Sequence, residues 1–332
     1  MRAMVLHKQM PIESYPLKLA NIEKPVAQKG EILVKVKACG VCRTDLHVIE
    51  GDLKSKTMPI IPGHQVVGVV ERLGDGCKEF KIGERIGVTW LGYTCQKCFF
   101  CKHEQENLCE ASAYTGYMLQ GGFAEYIIVK EAYAYHLTGS FDDVHYTPLL
   151  CAGIIGYRAY KRSNIKPRGH LAIFGFGSSA HLIIQIALFQ GVKVFVATDS
   201  KHHQMLAKAM GASWVSDTKD ELPLKVDSAI VFAPAGEIVP YALKAINKGG
   251  TVSLAGIHMT PIPQLNYETD LFHEKSLCSI EANTRKDGKE FLAIANQIPI
   301  EAHTKIYPLE QANEALTDLK RHKLQGTAVL II

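Results

Sequence analysis

The chain has 332 residues, 47% of them hydrophobic and 21% charged, and its 37 Lys and Arg against 33 Asp and Glu leave a formal net charge of +4. That length is about twice a typical domain and predicts two, each able to bury its own core. The small, scattered positive charge argues against nucleic acid as a partner, and the apolar stretch Leu182 to Phe195, broken by Gln185, Gln190, Gly191 and Lys193, falls short of the ~18 uninterrupted residues of a membrane span.

The opening MRAMVLHKQM lacks the basic, apolar and small-residue succession of a secretory signal and reads as a first strand, so a cytoplasmic protein is expected. From Met1 to about Leu150 follow short β-type runs (EILVKVKAC, VVGVVERL, RIGVTWLG, FAEYIIV) punctuated by glycine and proline. From about Cys151 to Ile280 short apolar strands alternate with helical stretches: LAIFGFG, SSAHLIIQIALFQG, VKVFVAT, KHHQMLAKAMGA, VDSAIVFAP, VPYALKAINKGG and TVSLAGI. Such alternation predicts a parallel, doubly wound sheet. Two helical stretches, KEFLAIANQ and LEQANEALTDLKR, and a last strand, GTAVLII, complete the chain. The expected division is residues 1–152, with 284–332 returning to them, and residues 153–283.

Cys95, Cys98, Cys101 and Cys109 fall within fifteen residues of loop-like text, CQKCFFCKHEQENLC. Two-residue gaps let neighbouring sulfurs converge on one ion, and four thiolates describe a closed zinc site with no open coordination position. Its expected role is to pin the lobe. Nine cysteines, an odd number without an export signal, argue for reduced thiols over disulfides. An iron–sulfur cluster also accepts four thiolates, although nothing else in the chain suggests one-electron chemistry.

Cys42, His64 and Cys151 say little singly. Around them, GVCRTDLH brings Thr44, Asp45 and His47 within six residues of Cys42, PGHQVVGVVERLGDGC sets His64 in a glycine-flanked turn, and LLCAGIIGY sets Cys151 where the two halves meet. Further on, the strand LAIFG runs into Gly175, Gly177 and Ala180 and then into AHLIIQIALF, the Gly-x-Gly-x-x-Ala form of a dinucleotide fingerprint. Glycines there let the backbone approach a pyrophosphate, and the helix N-terminus supplies unpaired N–H groups.

With these motifs in this order along nearly the whole length, the chain resembles the zinc-containing alcohol dehydrogenases of the medium-chain dehydrogenase/reductase family. Among these it is most similar to the bacterial propanol-preferring type, on FGFGSSAHL and ANTRKDG. The resemblance implies a GroES-like, mostly β catalytic domain and a Rossmann cofactor domain. It implies two zinc ions per chain, one catalytic and held by Cys42, His64 and Cys151, one structural and held by the four clustered cysteines. Two thiolates and a neutral imidazole balance the charge of Zn²⁺, and an open fourth position lets the ion lower the pKa of a bound hydroxyl. Asp45 is expected to accept the second ring N–H of a ligand histidine. Thr44 is expected to hand the substrate proton toward the cofactor ribose, and His47 to release it to solvent.

The chain departs from the family at Gln65, which stands where the pattern has Glu after the ligand histidine. A neutral amide removes a negative charge beside the metal and predicts a more electrophilic zinc. By resemblance Arg43 contacts the pyrophosphate, whereas Thr327 stands where relatives often carry a second Arg. Asp199, 24 residues after Gly175, suits the acidic residue that binds the ribose 2′-hydroxyl, which favours NAD; if Thr198 holds that place, beside Ser200 and Lys201, NADP is tolerated.

By resemblance Trp90 walls the substrate pocket and Leu53 sits where some relatives carry a larger aromatic. Such a pocket suits small-to-medium primary alcohols and their aldehydes, each buried methylene contributing only ~1 kcal/mol. A polyol dehydrogenase or an NADPH-dependent aldehyde reductase would share the same chemistry. A non-enzymatic zinc-binding module leaves Cys42, His64 and Cys151 unexplained, and a zinc-free quinone reductase should lack them. Relatives imply a homodimer or homotetramer.

Overall fold

A computed structural model describes residues 1–54, 57–324 and 326–332. The chain divides into two compact units, one made of Met1–Cys151, Ala282–Leu292 and Glu301–Ile332, the other of Ala152–Glu281 and Ala293–Ile300.

The first unit is organised around the strand Glu31–Val41, whose apolar run is buried at both ends. It pairs antiparallel with Gln65–Leu73, with Tyr126–Lys130 and with the last strand, Thr327–Ile331. The sheet continues through Arg85–Val88 to Ala134–His136 on one side and to Thr304–Pro308 on the other. Register shifts between Leu33 and Val34 and between Val36 and Ala38 bend the long strand, since each extra residue on one side of a ladder adds local twist. Alternate residues then point inward, and Ile32, Val34, Val36, Val66, Val70, Ile86, Phe123, Ile127 and Leu330 share one apolar core. The helix Ala312–Lys320 adds Ala315 and Leu316 to that core.

The second unit is the expected doubly wound sheet. Its six strands are all parallel, in the spatial order Trp214–Ser216, Lys193–Ala197, His170–Phe174, Val226–Val231, Ile246–Leu254, Ser276–Ser279. In chain order that is third, second, first, fourth, fifth, sixth, so the winding reverses beside the first strand, where such sheets open a crevice at the carboxyl ends of their strands. The helix Ser178–Phe189 starts four residues after Phe174 and is buried on most sides, which explains why its text is apolar without a clear polar stripe.

One element boundary differs from the sequence reading. The segment VPYALKAINKGG is helical only over Val239–Ala245, and from Ile246 it is already strand, because Val226 pairs with Ile246 and Ser228 with Thr251. The residues between form a bulge, with Gly249 at φ +71°. The junction LLCAG is a π-helical turn, Leu149–Gly153, between the helices Asp143–Pro148 and Ile154–Arg162. Turns of this kind recur at functional sites. Among the described residues no helix is long and apolar enough to cross a membrane, and all nine cysteines are free thiols.

Candidate metal centres and cofactor loop

Cys42 directly follows the bent strand and caps the helix Arg43–Glu50. His64 comes from the turn that leads into the neighbouring strand. Gly63 holds φ +96° there, and a Cβ on it would lie 2.4 Å from the Phe123 ring, so the turn accepts only glycine. Cys151 hangs from the π-helical turn. Three separate elements of the first unit thus converge: Cys42 Sγ lies 3.9 Å from Cys151 Sγ, and His64 Nε2 lies 3.3 Å from Cys151 Sγ. Sulfurs bound tetrahedrally to one zinc at ~2.3 Å are about 3.8 Å apart, and a sulfur and an imidazole nitrogen are about 3.6 Å apart. The spacing and the soft donor set both fit that ion.

Asp45 joins the segments that carry Cys42 and His64. Its carboxylate, 1% exposed, accepts the Cys42 backbone N–H at 2.9 Å, the Gly63 N–H at 3.1 Å and His64 Nδ1–H at 2.9 Å. With Nδ1 donating to Asp45, His64 turns Nε2 toward the sulfurs, the nitrogen that offers its lone pair once an ion displaces the proton there. Burial opposes a charge on His64, but the facing Asp45 carboxylate and Cys42 sulfur outweigh it and raise the imidazole to about 10. The hydrogen bond between the two sulfurs holds Cys42 well below the usual thiol range and lifts Cys151, already penalised by burial, well above it. Without an ion the trio therefore holds protons, on His64 and Cys151, that a divalent ion displaces.

Thr44 Oγ1 lies 3.7 Å from Cys42 Sγ, and His47, one turn further along the helix, bonds through Nδ1 to Asp52 at 2.7 Å. Gln65 is 1% exposed, and its Oε1 has no hydrogen-bond partner among the described residues. It lies over Gly40, opposite it in the ladder, where a Cβ would come within 2.9 Å of that oxygen.

Trp90 meets His64 edge-on at 5.0 Å between ring centroids. It also stacks on Tyr114 at 5.0 Å and Tyr117 at 5.9 Å. The two tyrosines escaped sequence reasoning, although the text AYTGY directly after the cysteine cluster was the available signal. Leu53 donates its N–H to the His47 carbonyl at 3.1 Å.

The sulfur or nitrogen ligand atoms of each group, Cys42, His64 and Cys151 on one hand and Cys95, Cys98, Cys101 and Cys109 on the other, lie within 4.8 Å of one another. In the second group Cys95 Sγ lies 4.0 Å from Cys101 Sγ and accepts the Cys98 N–H at 3.3 Å, while Cys109 Sγ accepts the Cys95 N–H at 3.4 Å. Backbone N–H groups of Lys97 and Cys98 lower the Cys95 thiol to about 6, favouring the thiolate that a metal requires. Between the third and fourth cysteines, Glu106 accepts both the backbone N–H and the guanidinium of Arg285, the latter at 2.6–3.0 Å. The motif ANTRKDG thus clamps the cysteine lobe.

In the second unit Gly175 holds φ +85°, with the Ala233 backbone nitrogen 2.8 Å from where a Cβ would stand. Gly177 caps the helix Ser178–Phe189, with nothing among the described residues within 4 Å of its own Cβ position, and Ala180 is fully buried. The loop thus leaves open backbone at a helix N-terminus, the arrangement a pyrophosphate needs. Past the second strand, Asp199 Oδ1 accepts the Thr218 N–H at 3.3 Å and also its hydroxyl, whereas the Thr198 carbonyl accepts Gln204 at 2.7 Å. Arg43 is the first residue of its helix, and Thr327 is 4% exposed, its N–H donating to His303 at 2.9 Å.

Comparison with known proteins bears on both units. Residues 28–139 match the family model of the alcohol dehydrogenase GroES-like domain, and residues 180–297 match that of zinc-binding dehydrogenases. The chain is 44% identical to the "Probable alcohol dehydrogenase AdhA" of Mycobacterium tuberculosis, over 100% of this chain and 97% of that one. It is 35% identical to an alcohol dehydrogenase of Geobacillus stearothermophilus, over 95% and 96% of the two chains. In fold it is similar to the cobalt- and zinc-bound thermostable alcohol dehydrogenase of Pyrobaculum aerophilum, with a TM-score of 0.90 at 24% identity, covering 100% of this chain and 99% of that one.

Proposed function

Because the chain belongs to the zinc-containing alcohol dehydrogenases of the medium-chain family, we propose that Cys42, His64 and Cys151 hold the ion at which it passes hydride between a small-to-medium primary alcohol or its aldehyde and a nicotinamide cofactor. The observation that carries this reading is the approach of Cys42 Sγ to within 3.9 Å, and of His64 Nε2 to within 3.3 Å, of one sulfur, Cys151.

Zinc bound there would supply Lewis-acid chemistry at an open fourth position, drawing electron density from a substrate oxygen and making its hydroxyl acidic near neutrality. Asp45 holds His64 in the tautomer that offers Nε2, and its bonds to Cys42 and Gly63 fix the spacing of the ligands. The Thr44 hydroxyl takes the substrate proton on its way to the cofactor ribose, and His47 releases it to water. Trp90, supported by Tyr114 and Tyr117, gives the pocket an apolar wall that favours alkyl chains over polyols, whose hydroxyls would lack partners. Cys95, Cys98, Cys101 and Cys109 hold a second, structural zinc.

In the cofactor unit Gly175, Gly177 and Ala180 form the pyrophosphate loop, and Arg43 contacts the same group. Thr218 holds one oxygen of Asp199, whose charge binds ribose hydroxyls and repels a 2′-phosphate, so NAD is favoured over NADP. Nine free thiols fit a reducing, cytoplasmic setting. A homodimer or homotetramer completes the reading and is tested by light scattering.

The test is a panel of alcohols of rising length with a polyol control, read at the nicotinamide absorbance with both cofactors, before and after zinc removal. Zinc-dependent oxidation of primary alcohols with NAD supports the reading. Preference for the polyol, better efficiency with NADPH than with NADH, or full activity without zinc counts against its respective part.

A further inference from the structure

The relay ends at His47, and the chain folds back on itself there. The helix Arg43–Glu50 is closed by Gly51 at φ +93°, and the His47 carbonyl accepts two backbone N–H groups from beyond the helix, those of Gly51 and Leu53, each at 3.1 Å. Gln9 clasps the same turn, its Nε2 donating to the Val48 carbonyl at 2.5 Å and the Leu53 carbonyl at 2.8 Å. The residue between Gly51 and Leu53 is thereby swung back over the helix end, and its carboxylate, Asp52 Oδ2, meets His47 Nδ1 at 2.7 Å. The imidazole is largely sheltered, at 14% exposure, while Asp52 stands 58% exposed.

We propose that Asp52 is a positioning residue for proton release, holding His47 in the Nδ1–H tautomer so that the lone pair resides on Nε2. This rests on the relay role given to His47 above. A neutral imidazole free in water favours the opposite tautomer, with its proton on Nε2, in which Nε2 cannot accept. A carboxylate fixed on Nδ1 reverses that preference. In alcohol oxidation the Nε2 lone pair then takes the relayed proton, the ring becomes an imidazolium whose Nδ1–H stays on Asp52, and the Nε2–H bond breaks to give the proton to water. The ring returns to its starting tautomer. The turn that carries Asp52 is ordered by backbone bonds and by Gln9, so the carboxylate is in place before any substrate arrives.

The experiment uses the zinc-loaded full chain with ¹⁵N-labelled histidine. Ring-nitrogen spectra assign the His47 tautomer in the wild type, Asp52→Ala, Asp52→Asn and Asp52→Glu, and steady-state alcohol oxidation is measured in H₂O and D₂O. The expected result is a protonated Nδ1 in the wild type and a shift toward protonated Nε2 in Asp52→Ala. With it, kcat falls about tenfold, KM stays nearly unchanged and the solvent isotope effect grows, while Asp52→Glu restores most of the rate. Asp52→Asn keeps the size of the side chain and guards against misreading a folding defect, which zinc content and Tm also report. An unchanged tautomer in Asp52→Ala and Asp52→Asn, or an unchanged kcat despite a changed tautomer, overturns the inference. His47→Gln separates the two levels. If it slows turnover and Asp52→Ala does not, the positioning role alone fails; if it leaves turnover intact, the relay reading fails as well.

Discussion

Asp45 Oδ1 and His64 Nδ1 are 2.9 Å apart with both side chains at most 1% exposed, and the same carboxylate binds the backbone at Cys42 and Gly63. One buried acid therefore orients one proposed zinc ligand, His64, and sets its separation from another, Cys42, 22 positions earlier in sequence.

Removing that acid should loosen the metal more than it harms the fold. Asp45→Asn is expected to weaken catalytic zinc binding by 10–100-fold, the usual cost of losing a partner behind a metal-ligating histidine. Competition with a chromophoric chelator measures it. Asp45→Ala leaves three N–H groups, those of Cys42, Gly63 and His64 Nδ1, without their acceptor and should lower stability by a further ~1–3 kcal/mol per group. Undiminished zinc affinity in both variants would show that His64 needs no such partner.

Zinc uptake should release protons. His64 is raised to about 10 and Cys151 is raised well above the usual thiol range, so near neutral pH both carry protons that the ion must displace, while Cys42 is already held as thiolate. Affinity should consequently rise as pH increases through neutrality, with about two protons released per ion. Calorimetric titration of stripped protein in buffers of different ionisation enthalpy counts them. A pH-independent affinity between 6 and 8 contradicts this assignment of protons.

Gln65→Glu places a carboxylate where the amide oxygen is buried without a hydrogen-bond partner among the described residues. In stripped protein the substitution should cost about 1–3 kcal/mol, seen as a lower Tm, and zinc should restore more stability than it does in the wild type. Turnover should fall several-fold, since the added charge makes the ion a weaker electrophile. No change in zinc retention or in turnover would mean that the residue is silent.

Arg285→Ala removes the guanidinium that pairs with Glu106, a carboxylate only 10% exposed inside the cysteine lobe. Stability should drop by about 2–4 kcal/mol, read as a lower Tm. Structural zinc should also exchange faster, because the lobe loses its clamp. Glu106→Gln should recover part of the loss by removing the stranded charge. Wild-type zinc exchange in Arg285→Ala would show that the lobe stands alone.

The legibility of these features in the sequence followed their locality. Cys95 to Cys109 crowd into one loop, and spacing alone suggested an ion; Cys42 and Cys151 are 109 positions apart, and only the resemblance joined them. Parallel strands such as His170–Phe174 announced themselves as buried apolar runs, but the edge strand Ser276–Ser279, reading SLCS, has too little β-branched character to stand out. The helix ending at Ala245 reads longer in sequence because nothing at Ile246, Asn247 or Lys248 marks a stop before Gly249, whereas pairing of Ile246 with Val226 starts the strand there. Asp52, Tyr114 and Tyr117 meet the site through turn geometry and ring stacking, which a linear pattern does not encode.

The proposed chemistry needs three separated side chains to share one ion, and elemental analysis of purified variants tests that most directly. Cys42→Ala, His64→Ala and Cys151→Ala should each fold with the structural zinc retained, carrying one zinc per chain where the wild type carries two, and each should lose alcohol oxidation. Two zinc ions per chain in any of these variants, with turnover preserved, would contradict the shared centre.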